Sequence, residues 1–175
     1  MLKAALAWDL AARTWIVAHR IHALDRFMWL LSVVGRGGMI WLAVAAIVSW
    51  RRRRPRELLI VGLALLAATL MADHVLKPAI HRTRPFIMVP DVPVIGGPPQ
   101  DASFPSGHAA NAFAGALVLS SVVPEGTAAW WSTAVAIAYS RVYLGVHYPL
   151  DVLCGALVGV ACAALVLWGA GRRRR

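Results

Sequence analysis

The chain has 175 residues, of which 59% are hydrophobic and 15% are charged, and its mean hydropathy is +0.65. Soluble domains are about half apolar and about a quarter charged, and one small core cannot bury such an excess of apolar residues. The composition therefore predicts a membrane protein and excludes intrinsic disorder, a collagen-like fibre and a disulfide scaffold. The net charge of +10 does not indicate nucleic-acid binding, because half of the 18 basic residues lie in two runs beside apolar stretches, Arg51–Arg54 with Arg56 and Arg172–Arg175.

Residues 1–22 are predicted to form an amphipathic helix. Asp9, Arg13 and Arg20 fall on one helical stripe, and apolar side chains occupy the other faces. Asp9 and Arg13 are four residues apart and are expected to pair with each other. A helix of this kind lies in the membrane interface, and a sixth, tilted membrane-spanning helix is the alternative. Charges interrupt the stretch and no small-residue cleavage site follows, so a cleaved signal peptide is not expected.

Five later segments are apolar enough to cross a bilayer as helices, which takes about 20 residues each. They are Phe27–Trp50, Leu58–Leu76, Ala109–Val123, Ala128–Gly145 and Leu150–Gly169. The third is short unless it begins at Ser106. We predict an all-α, polytopic transmembrane helical bundle that forms one membrane-embedded domain over residues 1–175. Cys154 and Cys162 both fall inside the last segment, where small buried residues are expected rather than disulfide partners or metal ligands.

The arginine runs predict how the bundle is oriented. With five alternating spans, both arginine runs fall on the same side of the membrane. The positive-inside rule assigns that side to the cytoplasm. The expected location is the inner or plasma membrane of the cell. The extracytoplasmic side then receives the connection 77–105 and a tight turn around Val146–Pro149. These two connections hold an unusual concentration of polar residues, so we expect the functional site there.

The connection 77–105 contains too many prolines to be helical through most of its length. Its cations include Lys77 and Arg84. Taken singly, each is typical of a cation at the end of a span whose side chain extends to the membrane interface. The positive-inside rule predicts few cations on this side, however, which favours a functional role for the group.

Pro105 to His108 directly precede an apolar run rich in alanine and glycine. Ser106 is a favourable helix N-cap, and Gly107 lets a ligand approach the backbone. A helix N-terminus with free amides is an anion site. An ordinary capped helix start with a bystander His108 is the alternative.

A third group comprises Arg141, His147 and Asp151. Arg141 lies near the end of an otherwise uncharged span, where an arginine requires an anionic partner. His147 and Asp151 are four residues apart across a helix start at Pro149, so the carboxylate can orient the imidazole. A simple helix-cap contact is the alternative, and it leaves Arg141 unexplained.

Cations, a helix N-terminus, two histidines and a carboxylate on one face suit phosphoryl transfer. The cations and amides hold the phosphoryl oxygens, one histidine attacks, and the other protonates the leaving oxygen. A carboxylate-rich magnesium site is absent from the sequence, so no metal or other cofactor is expected. Zinc bound by both histidines and Asp151 is disfavoured, because the surrounding cations would repel it. A non-catalytic lipid or anion transporter would not need the histidine–aspartate pair, and a polybasic scaffold would need only the arginine runs.

Three complete motifs, in order, resemble those of the membrane-bound type 2 phosphatidic acid phosphatase (lipid phosphate phosphatase) superfamily, which shares its catalytic core with vanadium haloperoxidases. The first, lysine, six residues and Arg-Pro, is Lys77 to Pro85. The second, Pro-Ser-Gly-His, is Pro105–His108. The third, Ser-Arg, five residues, His, three residues and Asp, is Ser140 to Asp151. The resemblance extends from about Ser32 to the last span.

The resemblance implies roles for eight residues. His147 is the nucleophile and forms a phosphohistidine, Asp151 orients it, and His108 is the general acid. The phosphoryl group is held by Lys77, Arg84, Arg141, Ser106 and the Gly107 amide. Catalysis is expected to be metal-independent. Asp73 is expected to support Lys77, and Arg82 to widen the positive field around the phosphate.

The predicted function is hydrolysis of a lipid phosphomonoester or diphosphate at the extracytoplasmic face. Undecaprenyl diphosphate, phosphatidylglycerol phosphate and phosphatidic acid are all compatible substrates. A lipid phosphotransferase that uses the same phosphohistidine is the alternative. Membrane lipids are the expected partners, and the sequence does not indicate an oligomeric state. The family usually has six transmembrane helices, so the N-terminal segment either supplies the sixth or lies in the interface.

Overall fold

The computed structural model describes residues 2–90 and 93–172. Within these residues the chain is helical and has no strand, which confirms the predicted all-α class. The α-helices are α1 (Leu2–Ala18), α2 (Asp25–Gly35), α3 (Met39–Arg52), α4 (Pro55–Thr69), α5 (Lys77–Ile80), α6 (Pro85–Met88), α7 (Gly107–Val122), α8 (Thr127–Tyr143) and α9 (Pro149–Arg172).

Three helical stretches in the described part of the chain are long and apolar enough to cross a membrane: His22–Arg52, Pro55–Met88 and Pro149–Gly171. They contain the first, second and fifth predicted spans. The third and fourth correspond to α7 and α8, which have 16 and 17 residues, fewer than the about 20 of a full span. The number of five spans therefore stays a prediction.

The first of these stretches is not one continuous helix, unlike the predicted span. A 3₁₀ turn, Arg36–Gly38, separates α2 from α3. Gly37 and Gly38 have φ angles of +58° and +73°, in the left-handed region that glycine adopts without steric cost. The break places Arg36 where α2 ends.

The second stretch changes its helical geometry before it ends. Beyond Thr69, α4 continues as a π-helix, Leu70–Leu76, that leads directly into α5. Local π-helical turns are frequent at functional sites. Here the wider turn holds Asp73 and Lys77 side by side, with Lys77 Nζ 2.6 Å from Asp73 Oδ1. This contact confirms that Asp73 supports Lys77.

Helix α7 lies at the centre of the bundle and contacts α9, α8 and α4. Helix α9 approaches its backbone closely at two glycines, because small residues allow membrane helices to pack tightly. A Cβ atom on Gly155 would lie 2.4 Å from the carbonyl oxygen of Ser106, and one on Gly159 only 2.0 Å from that of Ala110. This packing brings the start of α9, with Asp151, beside the N-terminus of α7.

Helix α1 turns its polar stripe towards the protein and packs on α8 and α9. Asp9 and Arg13 are buried, whereas Trp8 is 61% exposed on the outer side. The predicted Asp9–Arg13 pair is wrong, because both carboxylate oxygens of Asp9 bind elsewhere and Arg13 donates to the carbonyl oxygen of Gly145. Asp9 is thus satisfied by groups from distant parts of the chain, whereas Arg13 Nε and Nη1 are buried without a hydrogen-bond partner among the described residues.

Candidate active site

One cavity of about 490 Å³ lies at the end of the bundle where α2 and α8 end and α7 begins. Six of the eight predicted site residues line it: Lys77, Arg84, Gly107, His108, Arg141 and His147. Asp151 and Ser106 lie just behind its wall. A cavity of about 590 Å³ at the opposite end, lined in part by Arg56 and Ser121, contains none of the eight.

His147 is buried, with 2% of its surface exposed, and its two ring nitrogens face different partners. Nδ1 lies 3.4 Å from Asp151 Oδ2, and Nε2 lies 3.4 Å from Arg84 Nη1. A guanidinium can only donate hydrogen bonds. The network therefore assigns the lone pair to Nε2 and the proton to Nδ1, where it is donated to Asp151. The nitrogen that carries the lone pair is thus Nε2, which lies beside Arg84 in the wall of the cavity.

The environment of His147 also keeps its imidazole neutral. Burial is the main cause that lowers the pKa of His147 to about 4, against the opposing hydrogen bond to Asp151, and the charges of Arg84 and Arg141 lower it further. A neutral imidazole at pH 7 is the form that can attack phosphorus.

The predicted phosphate-binding cations Lys77 and Arg84 hold a carboxylate that sequence reasoning missed. Asp101 Oδ2 accepts from Lys77 Nζ at 2.5 Å, and Asp101 Oδ1 accepts from Arg84 Nη2 at 2.6 Å. Burial opposes ionisation, but the hydrogen bond from Lys77 and the charge of Arg84 lower the pKa of Asp101 to about 2. The side chain is 51% exposed. Its two oxygens therefore lie where a phosphoryl group would meet the same two cations.

Arg141 and His108 present nitrogens at the cavity that lack a hydrogen-bond partner. Arg141 Nη1 donates to the hydroxyl of Ser32, and Arg141 Nε and His108 Nε2 are buried without a hydrogen-bond partner among the described residues. Unsatisfied buried polar groups raise the free energy of the folded state. An oxyanion that enters the cavity would gain these interactions.

Comparison with known proteins identifies the family. The model of the PAP2 superfamily matches residues 57–175 of the chain. The chain belongs to the PAP2 superfamily.

Individual PAP2 relatives agree over most of the chain. An undecaprenyl-diphosphatase from Sulfolobus acidocaldarius is 34% identical over 149 residues, which cover 81% of this chain and 68% of the relative. The crystal structure of Aquifex aeolicus LpxE has a TM-score of 0.78 at 32% identity and covers 90% of this chain and 93% of its own. The crystal structure of a transmembrane PAP2-type phosphatidylglycerolphosphate phosphatase from Bacillus subtilis has a TM-score of 0.74 at 27% identity. The match covers 97% of this chain and 87% of the Bacillus subtilis chain. The predicted family and enzyme class are confirmed: this is a multi-pass membrane phosphatase.

In this PAP2 protein the carboxylate of Asp151 is fully buried and accepts hydrogen bonds from several donors. Its Oδ2 accepts from Ser103 Oγ at 2.5 Å and from the Tyr148 amide at 3.0 Å, in addition to His147. Its Oδ1 accepts from Arg82 Nη1 at 2.6 Å. So many donors fix the orientation of the carboxylate and hence that of the imidazole ring.

Arg82 does not line the cavity, and its expected contribution to the positive field around the phosphate stays a prediction. Its guanidinium bridges two buried carboxylates, because Nη2 lies 2.6 Å from Asp9 Oδ2 while Nη1 holds Asp151. The ring of Tyr148 lies 4.0 Å from the guanidinium carbon, a cation–π geometry. Asp9 also accepts from the Leu150 amide at 2.8 Å. The N-terminal helix therefore contributes to the support of the His147–Asp151 dyad.

The second PAP2 motif has its predicted local structure. Ser106 is the N-cap of α7, where its Oγ accepts from the Ala109 amide at 3.4 Å, and its own amide donates to the Asp151 carbonyl oxygen. Its role as a phosphate ligand stays a prediction. A Cβ atom on Gly107 would lie 2.6 Å from Asp73 Oδ1. Glycine at this position thus leaves room for the carboxylate that pairs with Lys77.

The described residues contain no group of three or more histidine, cysteine, aspartate or glutamate side chains placed to hold a metal ion. The two site histidines and Asp151 do not form such a group. Asp151 instead accepts from Arg82, Ser103 and His147.

Proposed function

We propose that this PAP2 protein hydrolyses a phosphate or diphosphate ester of a membrane lipid through a phosphohistidine on His147. The observation that carries the proposal is the orientation of the His147 ring, with Nε2 beside Arg84 in the wall of the cavity and Nδ1 towards Asp151. The names of the relatives, an undecaprenyl-diphosphatase and a phosphatidylglycerolphosphate phosphatase, support a lipid substrate. Undecaprenyl diphosphate, phosphatidylglycerol phosphate and phosphatidic acid are the candidates.

In the first step, His147 Nε2 attacks phosphorus, and the bond between phosphorus and the leaving oxygen breaks. His108 donates its proton to that oxygen, and the lipid product departs. Asp151 stabilises the positive charge that develops on the imidazole. In the second step, water attacks the phosphohistidine, its proton passes to His108, and the P–N bond breaks to release inorganic phosphate and restore both histidines.

Charge stabilisation in both steps comes from Lys77, Arg84 and Arg141. Preorganised cations stabilise the transition state more strongly than the same cations would in solution. The phosphoryl group of the substrate replaces the Asp101 carboxylate between Lys77 and Arg84. Product release is then assisted by the return of Asp101 to the same two cations.

We further propose five membrane-spanning helices, with α1 as an interfacial or sixth helix and the cavity at the extracytoplasmic face. Arg51–Arg54 form the end of α3 and its connection to α4, at the end of the bundle opposite to the cavity, which agrees with the positive-inside rule. A thiol reagent that does not cross membranes tests this orientation in a background without Cys154 and Cys162. A cysteine in place of Gln100 should react in intact cells, and one in place of Glu125 only after lysis. The reverse pattern would overturn the orientation.

The catalytic proposal is tested with purified protein in detergent, excess EDTA, and a panel of phospholipids and prenyl diphosphates. Phosphate release should survive EDTA and be lost in His147→Ala, while His81→Ala, a change at an exposed histidine, should retain it. A phosphoenzyme that is stable in base and labile in acid should form only when His147 is present. Equal release by His147→Ala would overturn the mechanism. Transfer of the phosphoryl group to an added alcohol in place of water would indicate a phosphotransferase. Movement of the lipid across the membrane without release of phosphate would indicate a transporter.

A further inference from the structure

Arg36 lines the catalytic cavity but belongs to none of the three PAP2 motifs. Its side chain is exposed, and it has no hydrogen-bond or ion-pair partner in the described part of the chain. The other cations of the cavity are engaged, since Lys77 pairs with Asp73 and Asp101, Arg84 pairs with Asp101, and Arg141 donates to Ser32. Arg36 is therefore the cation of the cavity lining whose side chain has no partner among the described residues.

The backbone of Arg36 is held firmly at the rim of the cavity. The two residues that follow it, Gly37 and Gly38, complete a turn with positive φ angles, and Gly38 packs so closely on Leu65 that a Cβ atom would lie 2.8 Å from Leu65 Cδ2. One turn before Arg36, Ser32 accepts from Arg141. The guanidinium is thus attached to a fixed point beside the catalytic residues.

The position of Arg36 relative to His108 indicates what it binds. Arg36 is near enough to interact electrostatically with both His108 and Arg141. His108 protonates the leaving oxygen in the proposed mechanism, so the group bonded to that oxygen lies close to Arg36. In a monophosphate ester this group is a carbon atom of the lipid, which gains nothing from a cation. In a diphosphate ester it is a second phosphoryl group, which does.

We propose that Arg36 binds the phosphoryl group that stays on the lipid, and that the substrate class of this enzyme is a lipid diphosphate. This inference rests on the proposed function. His147 attacks the terminal phosphorus, the bond from that phosphorus to the bridging oxygen breaks, and the bridging oxygen takes the proton of His108. The lipid leaves as its monophosphate, held by Arg36 until release. Hydrolysis of the phosphohistidine completes the conversion of lipid diphosphate and water to lipid monophosphate and inorganic phosphate.

Farnesyl diphosphate and farnesyl monophosphate test the inference, because they share one tail and differ by one phosphoryl group. The measured quantity is the ratio of kcat/KM for the two substrates. The unchanged enzyme should prefer the diphosphate, and Arg36→Gln should lower the ratio by about tenfold or more, as expected for a lost hydrogen bond between charged groups. Arg36→Lys keeps the charge and should retain part of the preference. Arg26→Gln, a change at an exposed arginine of α2 outside the cavity, should leave the ratio unaltered.

Two outcomes would overturn the inference and are distinguishable. Equal losses on both substrates in Arg36→Gln, or no loss on either, would refute the role of Arg36 and leave the proposed function intact. No release from either substrate, or release that does not depend on His147, would refute the proposed function and this inference with it.

Discussion

The support that Arg82 gives to the catalytic dyad predicts a specific effect of Asp9→Asn. The substitution keeps the shape of the side chain and the oxygen that accepts from the Leu150 amide at 2.8 Å. It removes the charge that faces Arg82 Nη2 at 2.6 Å. Arg82 then has only Asp151 as an ionic partner, and its guanidinium loses one of the two carboxylates that fix its position.

The size of the effect follows from the burial of Asp9, which is fully enclosed. A hydrogen bond to a charged group contributes about 1.5–3 kcal/mol, and burial leaves little screening by salt. If this loss falls on the transition state, where Asp151 stabilises a charged imidazole, kcat falls about tenfold to hundredfold. KM should change much less, because Asp9 does not touch the cavity.

The assay is phosphate release from a lipid phosphate by Asp9→Asn, Arg82→Gln and the double variant, with melting temperatures measured alongside. Thr14→Ala is the control and should keep kcat, because Thr14 also lies on α1 but its hydroxyl donates only to the Leu10 carbonyl oxygen of the same helix. Both substitutions act through Asp151, so the double variant should lose no more activity than Arg82→Gln alone. Additive losses, or a rise in KM with kcat unchanged, would refute the reasoning.

Four further predictions concern Asp101, His147 and the packing of α9 on α7. Asp101→Asn should lower the inhibition constant of inorganic phosphate at pH 7 several-fold, because the anion no longer displaces a carboxylate; an unchanged or higher constant would contradict this. The pKa of Asp101, about 2 against an ordinary 3.8, also means that its contribution to stability is present above pH 3.8 and is lost as the pH falls towards 2. Diethyl pyrocarbonate modifies neutral imidazole, so the pKa of about 4 for His147 predicts that the rate of inactivation by this reagent declines near pH 4 and not near the ordinary 6.5. A decline in the inactivation rate with its midpoint at pH 6.5 would be inconsistent with the buried site. Gly159→Ala should destabilise the protein by about 1–3 kcal/mol through overpacking, since the new Cβ atom would lie 2.0 Å from the carbonyl oxygen of Ala110. Gly169→Ala is the control and should leave the melting temperature nearly unchanged, because a Cβ atom there has no neighbour within 4 Å.

Contacts between residues close in sequence were predictable. Helical spacing places Asp73 beside Lys77 and Asp151 beside His147, and both contacts occur. The N-cap at Ser106 follows from the same local reasoning. Such contacts depend mainly on local backbone geometry, although the same four-residue spacing does not pair Asp9 with Arg13.

Contacts between distant segments were not predictable in the same way. Asp101 is one carboxylate in a proline-rich connection, and nothing local indicates that it lies between Lys77 and Arg84. The polar stripe of α1 was recognised, but Asp9 pairs with Arg82 and not with Arg13, because burial against α8 and α9 decides which partner is available. Hydropathy likewise does not reveal that a turn at Arg36 divides the first apolar stretch.

The hydrogen bond between Asp9 and the Leu150 amide joins residues 141 positions apart in the chain. During biosynthesis the support of the dyad therefore cannot form until the last helix has entered the membrane and met the first. A chain that has inserted only its earlier helices contains Lys77, Arg84 and His108 but no anchored nucleophile. We therefore expect enzymatic activity to appear only after α9 has packed against α1.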